Sequence, residues 1–188
     1  AEILSQFHDN GFYHGDIKPH NVLLNYSRAS INYKTMTLCD FGLSSNGPAN
    51  YLCSTSQYRA PEVFLGGMWA GPSDIWSLGC CFLEMLTGAK IHVDHPIFCS
   101  TDEEFLKSIG LFFGPYPDEM LTKDSHKFLK NVTKKYSFRD LFDSNLDYSV
   151  AGMAEALDLV RKMLVIDPNQ RISAKNIIAE LPSGIKCW

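Results

Sequence analysis

Long apolar runs, an excess of positive charge and paired cysteine motifs are all missing from this 188-residue sequence. A membrane-spanning helix needs about 18 or more consecutive apolar residues, and no stretch reaches that length. The chain has 17 basic and 21 acidic residues, so its net charge is −4 and no basic surface favours a nucleic acid. We therefore expect neither a membrane nor a nucleic acid among its partners.

A secretory signal and a disulfide framework are absent as well. The first ten residues, AEILSQFHDN, contain no apolar core of a signal peptide. None of the six cysteines stands in a C-x-x-C pair, and Cys80 and Cys81 are adjacent in an apolar stretch, where free thiols are common. These features predict a reducing, intracellular compartment, the cytoplasm or the nucleus. The sequence also lacks an initiator methionine, so we expect it to begin inside a longer reading frame.

Helical periodicity is the main pattern that is present. One predicted helix has its N-cap at Ser73 and its stop at Gly88. Apolar residues surround it on nearly all sides, which predicts burial at the centre of the domain. They are Ile75, Trp76, Leu78, Phe82, Leu83, Met85 and Leu86. Other helices are predicted to end at Gly11, to run from a capping box at Thr101–Glu104 to Gly114, to span Val150 to Asp167–Pro168, and to begin at Ser173.

Strand patterns are few. Two short apolar runs, NVLLN and TMTLCDF, predict two strands, and residues 26–34 between them form a polar connection that is long for a hairpin. Residues 42–71 are rich in Ser, Gly, Pro and Asn and show no periodicity, which predicts a long functional loop. The sequence therefore predicts a mainly α fold, with helices around one buried central helix and a small β pair.

Five short motifs follow one another along the chain. The first, HGDIKPHNVLL, places His14, Asp16, Lys18 and Asn21 at fixed offsets. A polar loop before a strand would explain this motif alone. CDFGL, YRAPE, DIWSLG and DPNQR then follow in that order, and chance does not account for all five together.

The five motifs resemble those of the C-terminal lobe of a eukaryotic protein kinase. That family has the pattern H-R-D-L-x-x-x-N, then D-F-G, then A-P-E. The matching positions are His14, Asp16, Asn21, Asp40, Phe41, Gly42, Ala60, Pro61 and Glu62. The resemblance covers essentially the whole chain and implies one domain, residues 1–188, with the fold of a kinase C-lobe. Lys18 resembles the lysine of Ser/Thr-specific kinases, and the flanks of YRAPE and DPNQR resemble the CMGC group.

The resemblance implies transfer of the γ-phosphoryl group of Mg-ATP to a Ser or Thr hydroxyl of a protein. Asp16 and Lys18 would be catalytic: Asp16 would orient or accept the hydroxyl proton, and Lys18 would balance charge on the transferred group. Lys18, Asn21 and Asp40 would bind the cofactor. Asn21 and Asp40 would be the Mg²⁺ ligands, because that ion prefers hard oxygen donors.

Other matched residues have structural roles in the family. Glu62 and Arg171 resemble the buried ion pair that anchors the activation segment, residues 40–62. Asp74 resembles the carboxylate that braces the backbone of the catalytic loop, residues 14–21. Thr55 resembles the threonine that bridges the catalytic aspartate and lysine.

Four positions depart from the family pattern, and one of them, His20, replaces an acidic residue that is common before the asparagine. Gly15 replaces the arginine that pairs with an activation-loop phosphate, so we expect no switching through that contact. Ser56 replaces an arginine of many CMGC kinases, which argues against proline-directed specificity. Tyr51 lies one position away from the tyrosine that some of these kinases phosphorylate. It is either a regulatory phosphorylation site or, as the simpler interpretation, an ordinary polar residue of a solvated loop.

The Gly-rich loop and the β3 lysine of a kinase have no counterpart here, because both would precede Ala1. We therefore expect that the chain, without N-lobe and hinge, binds ATP poorly and catalyses little by itself. The alternative function is that of a truncated pseudokinase that acts as a protein-binding module.

Two further stretches have competing interpretations. Leu111–Leu121 is apolar and aromatic, which predicts either a surface for a docking partner or packing within the lobe. His92, His95 and Cys99 have a spacing that suits zinc, but only three ligands are evident, and solvated histidines are the simpler interpretation.

Overall fold

Helices are the main regular elements of a computed structural model, which describes residues 1–27, 30–87, 101–137, 140 and 151–181. The helices of these residues are α1 Glu2–Asp9, α2 Pro61–Phe64, α3 Gly71–Thr87, α4 Asp102–Phe113, α5 His126–Leu129, α6 Met153–Met163 and α7 Ala174–Glu180. The strands are β1 Phe12–Tyr13, β2 Val22–Ser27, β3 Ser30–Leu38 and β4 Ser45–Asn46. The predicted mainly α fold is confirmed.

Helix α3 carries the centre of the core. Ile75, Trp76 and Leu83 are at most 2% exposed, and α6 packs along the helix. All-round burial is confirmed for these turns, but Met85 near the end of α3 is 75% exposed, so the prediction is wrong there.

The predicted N-cap of α3 is also wrong. The helix begins at Gly71, two residues before Ser73, and the Ser73 hydroxyl donates to Glu62 Oε1 at 2.7 Å. A hydroxyl in that contact serves the tertiary structure, which a local capping pattern cannot anticipate. The predicted stop at Gly88 lies outside the described residues.

Four other helix boundaries agree with the sequence. Thr101 caps α4 by accepting the Glu104 N–H at 3.2 Å, and Ser173 caps α7 in the same way. Gly11 (φ 77°) and Gly114 (φ 120°) end α1 and α4 in backbone conformations that favour glycine.

Helix α6 is shorter than predicted. It ends at Met163, before the expected boundary at Asp167–Pro168, because the Lys162 carbonyl, which a longer helix would pair with the Ile166 N–H, accepts the Ile172 N–H at 3.1 Å instead. The predicted start at Val150 lies outside the described residues.

Two antiparallel strand pairs flank the helices. β1 pairs with β4, and β2 pairs with β3, with Val22 opposite Leu38. The prediction of a long polar connection over residues 26–34 is wrong, because a register shift between Leu24 and Asn25 lets the ladder continue to Ser27 and Ser30.

The predicted long loop at residues 42–71 also contains ordered elements. β4 and α2 lie within it, and Ala49 and Trp69 exchange backbone hydrogen bonds at 2.8 and 3.0 Å. These contacts join residues that are distant in the sequence, so they leave no local periodicity.

Candidate active site

The catalytic loop connects β1 to β2, and a buried carboxylate at the start of α3 fixes its backbone. Asp74, which is 1% exposed, accepts the N–H groups of His14 and Gly15 at 2.8 and 2.9 Å. His8 Nε2, from α1, lies 2.9 Å from the same carboxylate. The bracing role of Asp74 that the resemblance implied is therefore present.

His14 links the catalytic loop to the residues that follow β3. The side chain is fully buried, and its Nδ1 accepts the N–H of Asp16 at 3.2 Å. The proton must then sit on Nε2, which donates to the carbonyl of Cys39 at 3.1 Å. The ring centroid also lies 5.0 Å from that of Phe41. The imidazole ring thus joins Asp16 to the segment that carries Asp40.

The Asp16 carboxylate is the most heavily contacted group of the loop. Lys18 Nζ donates to Oδ2 at 2.7 Å, and the N–H and hydroxyl of Thr55 donate to Oδ1 at 2.9 and 2.8 Å. Lys18 Nζ also donates to Thr55 Oγ1 at 2.9 Å. Burial raises the pKa of Asp16, but the hydrogen bonds from Lys18 and Thr55 outweigh burial and hold that pKa below its usual value. The carboxylate is therefore ionised at neutral pH.

Asn21 and Asp40 lie at the same end of the β2–β3 hairpin. Asn21 Nδ2 donates to the carbonyl of Asp16 at 2.8 Å and to its carboxylate at 3.2 Å, which leaves Oδ1 of Asn21 directed elsewhere. The Asn21 carbonyl accepts the Cys39 N–H at 2.9 Å, and the exposed Asp40 follows directly. An amide oxygen and a carboxylate at one hairpin end form a donor set that fits Mg²⁺.

The predicted ion pair at the end of the activation segment is present and buried. Arg171 donates from Nη1 and Nη2 to the two carboxylate oxygens of Glu62, at 2.7 and 3.0 Å. Its remaining donors reach the carbonyls of Pro72, Val165 and Ile166. Because the pair is bidentate and its hydrogen bonds are satisfied, it fixes α2 to the helical body.

Sequence reasoning gave no role to three residues that shape the site. His8 contacts Asp74 across 66 positions, and Trp69 packs against Gly15, so neither leaves a local signal. Arg59 donates to the carbonyls of Cys53 and Ser54, and its place in YRAPE was the one signal that pointed to it.

The aromatic side chains of Leu111–Leu121 pack inward. Phe112 and Tyr116 are 5% and 6% exposed, and the ring centroid of Phe113 lies 5.6 Å from that of Trp76. This favours packing within the lobe over a docking surface.

The zinc candidates His92, His95 and Cys99 lie outside the described residues. Within the described part of the chain, His, Cys, Asp and Glu side chains form no group of three or more that would hold a metal ion. None of the helices described there is long and apolar enough to span a bilayer.

Comparison with known proteins agrees with this geometry. The protein kinase domain model matches residues 1–181. The dual specificity protein kinase lkh1 of Schizosaccharomyces pombe is 31% identical to this chain, over 91% of the chain and 29% of the relative. The serine/threonine-protein kinase AFC2 of Arabidopsis thaliana is 30% identical, over 94% of the chain and 49% of the relative. The mitogen-activated protein kinase HOG1 of Ustilaginoidea virens is 33% identical, over 94% of the chain and 46% of the relative. The chain spans about half or less of the length of these relatives. It belongs to the eukaryotic protein kinase family and is CMGC-like.

Proposed function

We propose that residues 1–188 form the C-terminal lobe of a protein Ser/Thr kinase, which transfers the γ-phosphoryl group of ATP to protein hydroxyls. The observation that carries this proposal is the closed set of contacts among Asp16, Lys18 and Thr55, in which each side chain bonds the other two. Lys18 in this set supports Ser/Thr specificity, although relatives named as dual-specificity kinases also match.

The residues of the loop divide the chemistry among themselves. Asp16 is ionised and fixed by Thr55, and it accepts a hydrogen bond from the substrate hydroxyl. This bond orients the oxygen of that hydroxyl towards the phosphorus of the γ-phosphoryl group. Lys18 places a positive charge next to Asp16, and this charge balances the negative charge that develops on the transferred phosphoryl group. Holding both groups in place before reaction is the main contribution that phosphoryl transfer requires of a protein.

Mg²⁺ and ATP are the cofactors that fit these residues. Asn21 Oδ1 and the Asp40 carboxylate would hold the ion, which supplies neutralisation of phosphate charge when it is bound. Lys18, Asn21 and Asp40 would together bind the nucleotide from this side.

The chain by itself is expected to bind nucleotide weakly, since the glycine-rich loop and β3 lysine of kinases have no match in it. The partners that follow are ATP and a protein substrate, in an intracellular compartment. A docking partner at Leu111–Leu121 is the weaker part of the proposal, because its aromatic residues are mostly buried.

A substitution at Asp16 tests the enzyme assignment. Asp16→Asn, made in the longest natural polypeptide that contains this chain, keeps the shape of the side chain but removes the negative charge. We expect transfer to fall by about 10²- to 10⁴-fold, the usual contribution of such a group. Asp118→Asn, at an exposed aspartate in a distant turn, is the matched control and should keep full activity. Undiminished transfer in Asp16→Asn would refute the role of Asp16.

Nucleotide binding separates the enzyme from the alternative, a pseudokinase that acts as a binding module. A thermal-shift titration of the same polypeptide with Mg-ATP should raise the unfolding midpoint with ligand concentration, by mass action. An unchanged midpoint at millimolar nucleotide, together with absent transfer, would favour the binding module.

A further inference from the structure

The space beside Gly15 is filled by an indole ring. Gly15 has φ 77°, and a Cβ at this position would lie 2.8 Å from the carbonyl oxygen of Leu43 and 2.8 Å from Cη2 of Trp69. Trp69 is 0% exposed. The residue directly before Asp16 is therefore a glycine for steric reasons, and its neighbour is a large apolar side chain.

Trp69 also contacts the middle of the activation segment, at Ala49 and Tyr51. Its indole N–H donates to the carbonyl of Tyr51 at 3.0 Å, and its backbone exchanges hydrogen bonds with Ala49. The Tyr51 ring packs edge-on against the indole, with centroids 5.4 Å apart. The backbone of Trp69 thus contacts Ala49, and its indole N–H and its ring both contact Tyr51.

Tyr51 closes the cluster back onto the catalytic loop. Its hydroxyl donates to the carbonyl of Leu43 at 2.9 Å and to that of Ser44 at 3.4 Å. The Leu43 oxygen is the same atom that limits the space at Gly15. Gly15, Leu43, Tyr51 and Trp69 therefore form one connected set, which we name the indole clamp.

We propose that Trp69 is a positioning residue of the candidate active site. Its ring supports the backbone of Gly15, next to Asp16, and fixes the activation segment to it through apolar packing and neutral hydrogen bonds, without a phosphate. The catalytic consequence rests on the proposed function, but the packing is tested without any activity.

Hydrogen exchange of the 188-residue chain is the first test. Trp69→Phe removes the indole N–H and the ring atoms that touch Gly15. Exchange in peptides that cover residues 12–18 and 43–52 should accelerate by about tenfold or more, while peptides of α4 stay unchanged, because local opening reports local contacts. Trp76→Phe is the matched control, since it alters another buried tryptophan that makes none of the clamp contacts.

A change in exchange that is equal in Trp69→Phe and Trp76→Phe would overturn the proposal, because it would reflect general destabilisation. If Trp69→Phe does not fold, Tyr51→Ala serves instead: Tyr51 is 44% exposed, so its loss should leave the fold intact and still accelerate exchange at residues 43–52. Unchanged hydrogen exchange in Tyr51→Ala would also overturn the proposal that the indole clamp holds these segments together.

A double-mutant cycle isolates the contact between Gly15 and Trp69. The positive φ and the Leu43 carbonyl penalise Gly15→Ala in any background, whereas the indole penalises it only when Trp69 is present. Gly15→Ala should therefore lower the urea midpoint less in the Trp69→Phe background than in the wild type. Equal losses in both backgrounds would exclude the proposed support of Gly15.

The kinetic consequence is measured in the longest natural polypeptide. Trp69→Phe should lower kcat about ten- to a hundredfold, since small displacements of a catalytic group have effects of that size, while KM for ATP stays unchanged. Full kcat in a variant with faster exchange would contradict the positioning role. Absence of transfer in the wild type would count against the proposed function and leave the exchange result to decide the clamp.

Discussion

The Thr55 hydroxyl has two roles at once, as acceptor for a cation and donor to an anion. It accepts a hydrogen bond from Lys18 and donates one to Asp16, while its N–H donates to the same carboxylate oxygen. Because Thr55 belongs to the activation segment and the other two residues to the catalytic loop, the protonation of Asp16 is coupled to the position of that segment.

Removing this hydroxyl should change how stability depends on pH. Because the pKa of Asp16 is lowered in the folded state, its contribution to stability is complete above the ordinary value of 3.8 and is lost as the pH falls from there through the lowered pKa. Thr55→Val keeps the shape but removes one of the groups that lower the pKa. Urea unfolding between about pH 6 and pH 3 should therefore show a smaller loss on acidification.

Thr37→Val, at an exposed strand position, is the control for that experiment and should keep the wild-type pH dependence. Identical slopes for Thr55→Val and the wild type would contradict the coupling.

Residues of the candidate active site were predictable only where they lie close together in the sequence. Asp16, Lys18 and Asn21 fall within six positions, and the structure joins their side chains as neighbours. His8 and Trp69 were missed, because each acts on the loop from a distant part of the chain. A lone histidine and a lone tryptophan have many ordinary roles, so the sequence did not distinguish theirs.

Helices α3 and α6 approach closely at a glycine of α3, Gly79. A Cβ on Gly79 would lie 2.9 Å from Leu164 Cδ2 and 3.0 Å from Met163 Cβ. Helix propensity favours alanine over glycine by about 1 kcal/mol, whereas overpacking a core costs about 1–3 kcal/mol.

We therefore expect Gly79→Ala to destabilise the chain by up to about 2 kcal/mol, against the trend of propensity. Urea unfolding of the 188-residue chain measures it. Leu164→Ala removes one of the two obstructing side chains, so the same glycine substitution should cost less in that background. A stabilised Gly79→Ala variant would show that the helices can separate without penalty.

At the scale of elements, long apolar patterns were readable and short elements were not. The residues of α3 fill two or more turns with Ile, Trp, Leu and Cys, so its burial was predictable. β4 has two residues and α2 has four, and both depend on distant partners, β1 for the strand and the Glu62–Arg171 pair for the helix. Patterns of two to four residues contain too little periodicity to predict either element.

At the scale of the whole molecule, apolar side chains remain exposed on the β2–β3 hairpin. Leu24 and Met36 stand directly opposite each other and are 49% and 46% exposed. Opposite residues of an antiparallel pair share one face, so these two form a continuous apolar surface. Such a surface favours association when nothing covers it.

We expect the 188-residue chain to self-associate through this face. Sedimentation velocity should show a mean mass that rises with concentration for the wild type. Leu24→Lys combined with Met36→Glu replaces the apolar pair by opposite charges, which remain compatible with strand pairing, so the variant should stay monomeric with an unchanged unfolding midpoint. Met85→Lys, at a residue that is 75% exposed on α3, is the control and should associate like the wild type. Association that persists in the hairpin variant, or that Met85→Lys suppresses equally, would assign self-association to another surface.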